Sequence, residues 1–291
     1  MSAKTGGMLM QRGFVEHDGE QIYYETVGVR SDPVVVFTHG MGGNHMIWYQ
    51  QVAYFAQFCC VITWDQRGFG RSTNIAGNAS PQNAANDLAA LLQHLNADDV
   101  HVIGQSLGGW ASLGFVLRYP ERVRSLVLAD TIAGIHSSRI EREFRAYSAR
   151  MSASVTGTAA TGFAMEASAL GATNAIDRHP ALERDFGTRE PAKAFLYNQI
   201  SSISLAPPVA ALRRQLPESF WPPEEVAALT VPTLFVVGER DDIFSPDLIR
   251  EAASLMRGAT VAEIALAGHS PYFERPEEWN RVVHQFIEAH S

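Results

Sequence analysis

HVIGQSLGGW, residues 101–110, is the stretch on which the reading of the fold turns. An apolar run gives way to a polar pair boxed between glycines, Gly104-Gln105-Ser106-Leu107-Gly108. That is the Gly-x-Ser-x-Gly spacing of a nucleophile elbow, where small neighbours let strand turn sharply into helix and expose the serine. The same five residues also describe an ordinary strand-to-helix turn that contains a serine. The segments on either side have to decide.

Those segments alternate. Upstream, FVEHD and QIYYET (14–18 and 21–26) read as two short strands around an Asp18-Gly19 hairpin turn. PVVVFTHG (33–40), CCVITWDQRG (59–68), VHVIG (100–104), RSLVLAD (124–130) and PTLFVVGERD (232–241) are apolar runs without alternation. Such runs have both faces covered, as in a parallel sheet flanked by helices. Between them Ser80-Pro81 caps a helix on which Leu88, Leu91, Leu92 and Leu95 form one stripe. A second helix runs from Leu107 to Tyr119 and stops at Pro120. Strand–helix alternation predicts an α/β fold with a doubly wound, mostly parallel sheet. From 135 to 225 the alternation fails: the segment is rich in Ala, Ser, Met and Phe and is broken by prolines at 207, 208, 217, 222 and 223. We expect a helical lid there, over a core domain formed by 1–134 and 226–291.

Composition narrows the function classes. The 291 residues are 46% hydrophobic and 19% charged, enough apolar material for a sizeable core. The net charge of -8, without a lysine or arginine cluster, speaks against nucleic acid as a partner. Cys59 and Cys60 are adjacent and read as buried, reduced thiols rather than a disulfide framework or a zinc site. No His-x-x-x-His or Cys-x-x-Cys pair occurs, so neither a metal nor a cofactor is expected. The N-terminal stretch lacks the apolar core of a secretory signal, and no run is long enough to span a bilayer, so the expected location is the cytoplasm. Oligomeric state is not readable.

In an open parallel sheet, chemistry gathers beyond the carboxyl ends of the strands. Four such ends carry reactive or charged residues: THGMGG, GQSLGG, GERDD and AGHS. A serine hydroxyl needs a base to take its proton. His269, in a glycine-preceded loop between a short apolar strand and the last helix, is the best candidate among ten histidines. His39 is its rival, but the Gly40-Met41-Gly42-Gly43 turn after it suits the presentation of backbone N–H groups, which with that of Leu107 would hold an oxyanion. His17, His94, His136 and His290 read as solvated bystanders. A carboxylate must fix the tautomer of the base. Asp241 follows the strand-end turn directly; Asp242 and Asp130 are the alternatives. Trp48, Trp110 and Phe244 read as packing, while Met151, Phe163 and Met165 of the lid would line an acyl pocket or pack between lid helices.

Taken together, VFTHGMGG, WDQRGFGRS, VIGQSLGGW, LFVVGERDDIFSP and AGHSPYFERP, in that order, resemble the α/β-hydrolase fold superfamily in its serine-nucleophile esterase and lactonase branch. The resemblance covers nearly the whole chain except the lid. It implies Ser106 as nucleophile, Asp241 as acid, His269 as base, the Met41 and Leu107 N–H groups as oxyanion hole, and structural roles for Asp65 and Arg67. The expected activity is hydrolysis of a small carboxylic ester, thioester or lactone through an acyl-enzyme, with a small acyl compound as the partner. Dehalogenases and epoxide hydrolases of similar fold place an aspartate at the elbow. Hydrolases of carbon–carbon bonds tend to carry tryptophan after the histidine, where this chain has Ser270. Acyl transfer on the same triad and a non-catalytic small-molecule receptor are the other readings the resemblance leaves open.

Overall fold

Asp18 and Gly19 both carry positive φ, 50° and 74°, the angles a two-residue hairpin turn requires. They join β1 (Met10–His17) to β2 (Glu20–Val27), paired antiparallel along their full lengths. The computed structural model describes residues 9–29, 33–155, 179–203, 212, 215–216 and 219–291. The first strand starts at Met10 rather than Phe14 because main-chain pairing, not burial, holds its exposed first residues.

Six further strands follow: β3 (Val34–Thr38), β4 (Cys60–Trp64), β5 (Val100–Gln105), β6 (Val123–Ala129), β7 (Thr233–Gly238) and β8 (Thr260–Ile264). The sheet order is β1-β2-β4-β3-β5-β6-β7-β8, antiparallel through the β2–β4 pairing and parallel from β4 to β8. The fold is thus α/β with a mostly parallel sheet. β8 departs from the apolar strand expected before His269. Only Ile264 of its five residues is buried, because it is an edge strand with one neighbour.

The helices are α1 (Tyr49–Phe55), α2 (Pro81–His94), α3 (Leu107–Arg118), α4 (Ser138–Val155), α5 (Phe186–Arg189), α6 (Pro191–Ile203), α7 (Pro223–Ala228), α8 (Pro246–Ser254), α9 (Pro271–Glu274) and α10 (Pro276–Glu288). Successive strand residues point to opposite faces, so the sheet sorts its core into two. Val36, Ile62, Val102 and Phe235 face α2, α3 and α8 on one side. Val35, Val61, Ile103 and Val236 face α1 and α10 on the other. The Ser80 hydroxyl caps α2 by accepting from Asn83 N–H at 3.1 Å, and Leu88, Leu91 and Leu92 are fully buried. Leu88→Ala would leave a cavity the rigid sheet cannot close, and urea unfolding should show a loss of about 2–5 kcal/mol. Cys59 and Cys60 are buried thiols, not joined in a disulfide.

The helices described between β6 and β7 are not set apart from the core. Ile140 and Phe144 of α4, with Trp221, join the cluster around Trp110, while Phe186, Ala194 and Tyr197 join the opposite one. Phe163, Met165 and the side chain of Met151 lie outside the described residues. No helix among the described residues is long and apolar enough to cross a membrane.

Candidate active site

Ser106 sits between β5 and α3 at φ 49°, ψ -120°, a left-handed conformation that few non-glycine residues adopt. Three contacts of its own main chain hold it there. Its N–H donates to Ala129 O at 3.0 Å, and its carbonyl accepts from Gly109 N–H at 2.9 Å and the Thr131 hydroxyl at 2.8 Å. The small neighbours are required by close approach: a Cβ at Gly104 would lie 2.6 Å from Gly108 O, and one at Gly108 would lie 2.6 Å from His39 O. The turn is therefore tight because its flanks run against main chain, and it leaves Ser106 partly exposed at the carboxyl end of the sheet.

The expected partners come from neighbouring strand ends. His269 Nδ1–H donates to Asp241 Oδ2 at 2.8 Å, both residues being buried. Asp241 Oδ1 in turn accepts Ile243 N–H at 2.7 Å and Phe244 N–H at 3.0 Å, so the carboxylate is aimed by its own turn. Asp242 points elsewhere: its exposed carboxylate pairs with Arg184 at 3.0 Å. Asp130 is closer. Its Oδ1 accepts Gly238 N–H at 2.9 Å, while its buried Oδ2 has no hydrogen-bond donor among the described residues. Burial and the charge of Asp241 push its carboxyl well above the usual carboxylate range. Asp130, Asp241 and His269 bring ligand atoms within 4.8 Å of one another, a grouping that motif spacing did not reveal. The His269 Nδ1 is engaged with Asp241, which leaves Nε2 outside that bond.

The rival histidine is built into the frame. His39 Nδ1–H donates to Gly40 O at 2.8 Å, and its Nε2 accepts Gln66 N–H at 3.1 Å. Burial lowers its pKa and keeps the ring neutral. The turn after it is closed by Gly43 N–H to Gly40 O at 3.1 Å and places Met41 next to the elbow loop, where a Cβ at Gly40 would come within 3.0 Å of Ser106 Cβ. Leu107 is the first residue of α3, where a helix leaves its N–H groups without internal acceptors. Asp65 accepts from His45 N–H at 2.7 Å and Arg71 N–H at 2.8 Å, and Arg67 forms a two-point pair with Asp87 at 3.0 and 2.6 Å. His17 joins the same group through Asp87 at 2.7 Å and is not the solvated bystander expected of it.

A family model described as the alpha/beta hydrolase fold matches residues 33–276. The chain belongs to the α/β-hydrolase fold family. It is 34% identical over 112 residues to 3-oxoadipate enol-lactonase 2 of Acinetobacter baylyi, across 38% of this chain and 42% of that protein. It is 24% identical over 273 residues to 3-oxoadipate enol-lactonase 1 of the same organism, across 93% and 94%. The chain thus spans less than half of one lactonase and nearly all of the other. Among solved structures, a thermophilic esterase from Thermogutta terrifontis, with malate bound, superposes with a TM-score of 0.76 at 27% identity, covering 97% of this chain and 100% of that one.

Several residues around the site of this α/β-hydrolase escaped the motif reading. Phe244 does pack, but against the His269 ring, 5.7 Å away. Gln105, the variable residue before the serine, donates its side-chain N–H to His269 O at 3.0 Å. From the insertion, the Tyr197 hydroxyl lies 2.9 Å from Ser270 Oγ. His179 packs on the Tyr197 ring, and burial together with the charge of His269 lowers its pKa to about 4. No periodicity or short motif announces such residues, because their partners are main-chain atoms or side chains distant in sequence.

Proposed function

We propose that this hydrolase cleaves small carboxylic esters, thioesters or lactones through an acyl-enzyme on Ser106. The observation that carries the reading is the buried 2.8 Å bond from His269 Nδ1–H to Asp241, set beside a serine held in an elbow conformation. In the neutral ring that bond puts the proton on Nδ1 and the lone pair on Nε2. Nε2 takes the hydroxyl proton as Ser106 Oγ attacks the carbonyl. The oxyanion that forms is received by the Met41 and Leu107 N–H groups, each such donor contributing about 2.7–4 kcal/mol to the transition state. Nε2–H then gives its proton to the departing alkoxide or thiolate, and water repeats the sequence on the acyl-enzyme. Residues 135–225 act as the lid over the acyl group, with 1–134 and 226–291 as the core.

Lactones belong in the substrate class because two relatives bear enol-lactonase names, and a lactone differs from an ester only in keeping its leaving group tethered. Carbon–carbon cleavage is less favoured, since Ser270 stands beside the base and is engaged by Tyr197. The test is hydrolysis of 4-nitrophenyl esters of increasing acyl length together with a set of γ- and δ-lactones. Turnover in either series supports the reading, and the preferred chain length measures the acyl site. A folded protein that binds these compounds saturably without turning any over would replace it with a receptor.

A further inference from the structure

We propose that Glu274 is a positioning residue for the base: one buried carboxylate grips the main chain on both sides of His269 and, at the same time, the insertion. The proposal rests on the reading of His269 as general base. Glu274 is 4% exposed, and its two oxygens are divided between two segments. Oε1 accepts Gly268 N–H at 3.0 Å and Ser270 N–H at a longer 3.4 Å. Oε2 accepts Glu183 N–H at 2.9 Å, from a residue 91 positions away in the chain. Among the described residues no lysine or arginine pairs with it, so the negative charge is balanced by backbone N–H dipoles alone.

Capping of α9 accounts for part of this, because Ser270 is the N-cap of that four-residue helix. It does not account for the two shorter bonds, which go to Gly268 and to the insertion. The approach is close enough to constrain the sequence: a Cβ at Gly268 would lie 2.5 Å from Glu183 N. With Gln105 holding the His269 carbonyl and Asp241 its ring, the Glu274 grip fixes the remaining main chain around the base. Displacing a reacting group by about 1 Å can cost a hundredfold in rate.

Burial raises the Glu274 carboxyl to about 7, and the three N–H groups offset part of that rise. The groups facing it are Glu183 from the insertion, Tyr197 from α6, Asp130 at the end of β6 and His269 in its own loop. Glu183 is itself paired with Arg189 at 2.7 Å and Arg240 at 3.0 Å. As pH falls through this range the carboxyl takes up a proton and its hold on the N–H groups weakens. The protonation of Glu274 then contributes to the acid limb of kcat. Stability runs the opposite way. The folded state favours the protonated acid, so the wild type gains stability as pH falls from about 7 toward 4.5, the value of an unburied glutamate. Glu274→Gln, which cannot titrate, should lack that component.

The experiment compares wild type, Glu274→Gln, Glu274→Asp and His269→Ala by 4-nitrophenyl ester kinetics across pH, thermal melting and proton NMR of the His269 Nδ1–H. The proposal expects Glu274→Gln to lower kcat about ten- to a hundredfold with KM held, to remove the Glu274 component from the acid limb, and to broaden or abolish the Nδ1–H resonance. If Glu274→Gln does not fold, Glu274→Asp, which keeps a titrating carboxyl on a shorter arm, carries the kcat and resonance readouts. A folded variant with wild-type kcat, acid limb and resonance overturns the proposal, and so does one that only melts earlier. Should His269→Ala remain fully active, the base reading fails; the resonance, which needs no substrate, still decides whether Glu274 sets the geometry of the loop.

Discussion

Ser106→Ala should lose turnover of 4-nitrophenyl esters by about a millionfold, to the residual rate that binding and oxyanion stabilisation sustain alone. The fold should survive. The hydrogen bonds that hold the elbow residue run through its main-chain N–H and carbonyl, to Ala129, Gly109 and Thr131, and alanine keeps all three. Melting temperature and the binding of a non-hydrolysable ester analogue should therefore match wild type. Because the loss lies in the chemical step, kcat carries it and KM moves little. Equal rates in variant and wild type would remove Ser106 from the chemistry.

Asp241→Asn should cost about 10⁴-fold in kcat by forcing the wrong tautomer on the base. The amide has one oxygen and one NH₂ to distribute. Ile243 and Phe244 N–H, at 2.7 and 3.0 Å, already claim an oxygen. The NH₂ must then face His269 Nδ1, which can accept only if the ring proton moves to Nε2, the atom needed as base. Parallel kinetics on Asp242→Asn and Asp130→Asn separate the three carboxylates. Asp242 is exposed and, among the described residues, pairs across the surface with Arg184, so its variant should stay within about twofold of wild type. In Asp130→Asn the amide oxygen can keep the bond from Gly238 N–H and the His269–Asp241 bond is left intact, so the loss should be well below that of Asp241→Asn. A loss in Asp242→Asn matching that in Asp241→Asn would refute the assignment of the acid.

The parts of the molecule legible in the sequence are those where one physical rule acts over neighbouring residues. Val34–Thr38, Cys60–Trp64 and Thr233–Gly238 stand out as strands because both of their faces are covered. The elbow is legible because close approach at Gly104 and Gly108 admits nothing larger. β8 and the first half of β1 are less so: at the sheet edges main-chain pairing does the work that burial does in the middle, and polar side chains are free to mask the pattern. Around the site, His269 and Asp241 follow from the ends of strands and glycine-bearing loops. Glu274 and Gln105 do not, since both bond to main-chain atoms of distant segments, and a main-chain partner leaves no residue type to recognise. The described parts of the insertion are legible as helical from their lack of strand runs, but their division between the two core faces is not. That division depends on which of its apolar residues meet Trp110 and which meet Phe273.

The contact of Gly268 with Glu183 bears on how such a protein could be re-engineered or could diverge. Exchange of an insertion between related enzymes is attractive as a modular route to new substrates, since it lies between two sheet strands and carries neither Ser106 nor His269. Here the joint is not clean. A transplanted segment would have to lay its own backbone against a residue without a side chain and present an N–H where Glu183 does. Drift in the insertion and drift in the loop are consequently linked, and chimeras should be cut so that residues 182–183 travel with 268–274 as one inherited unit.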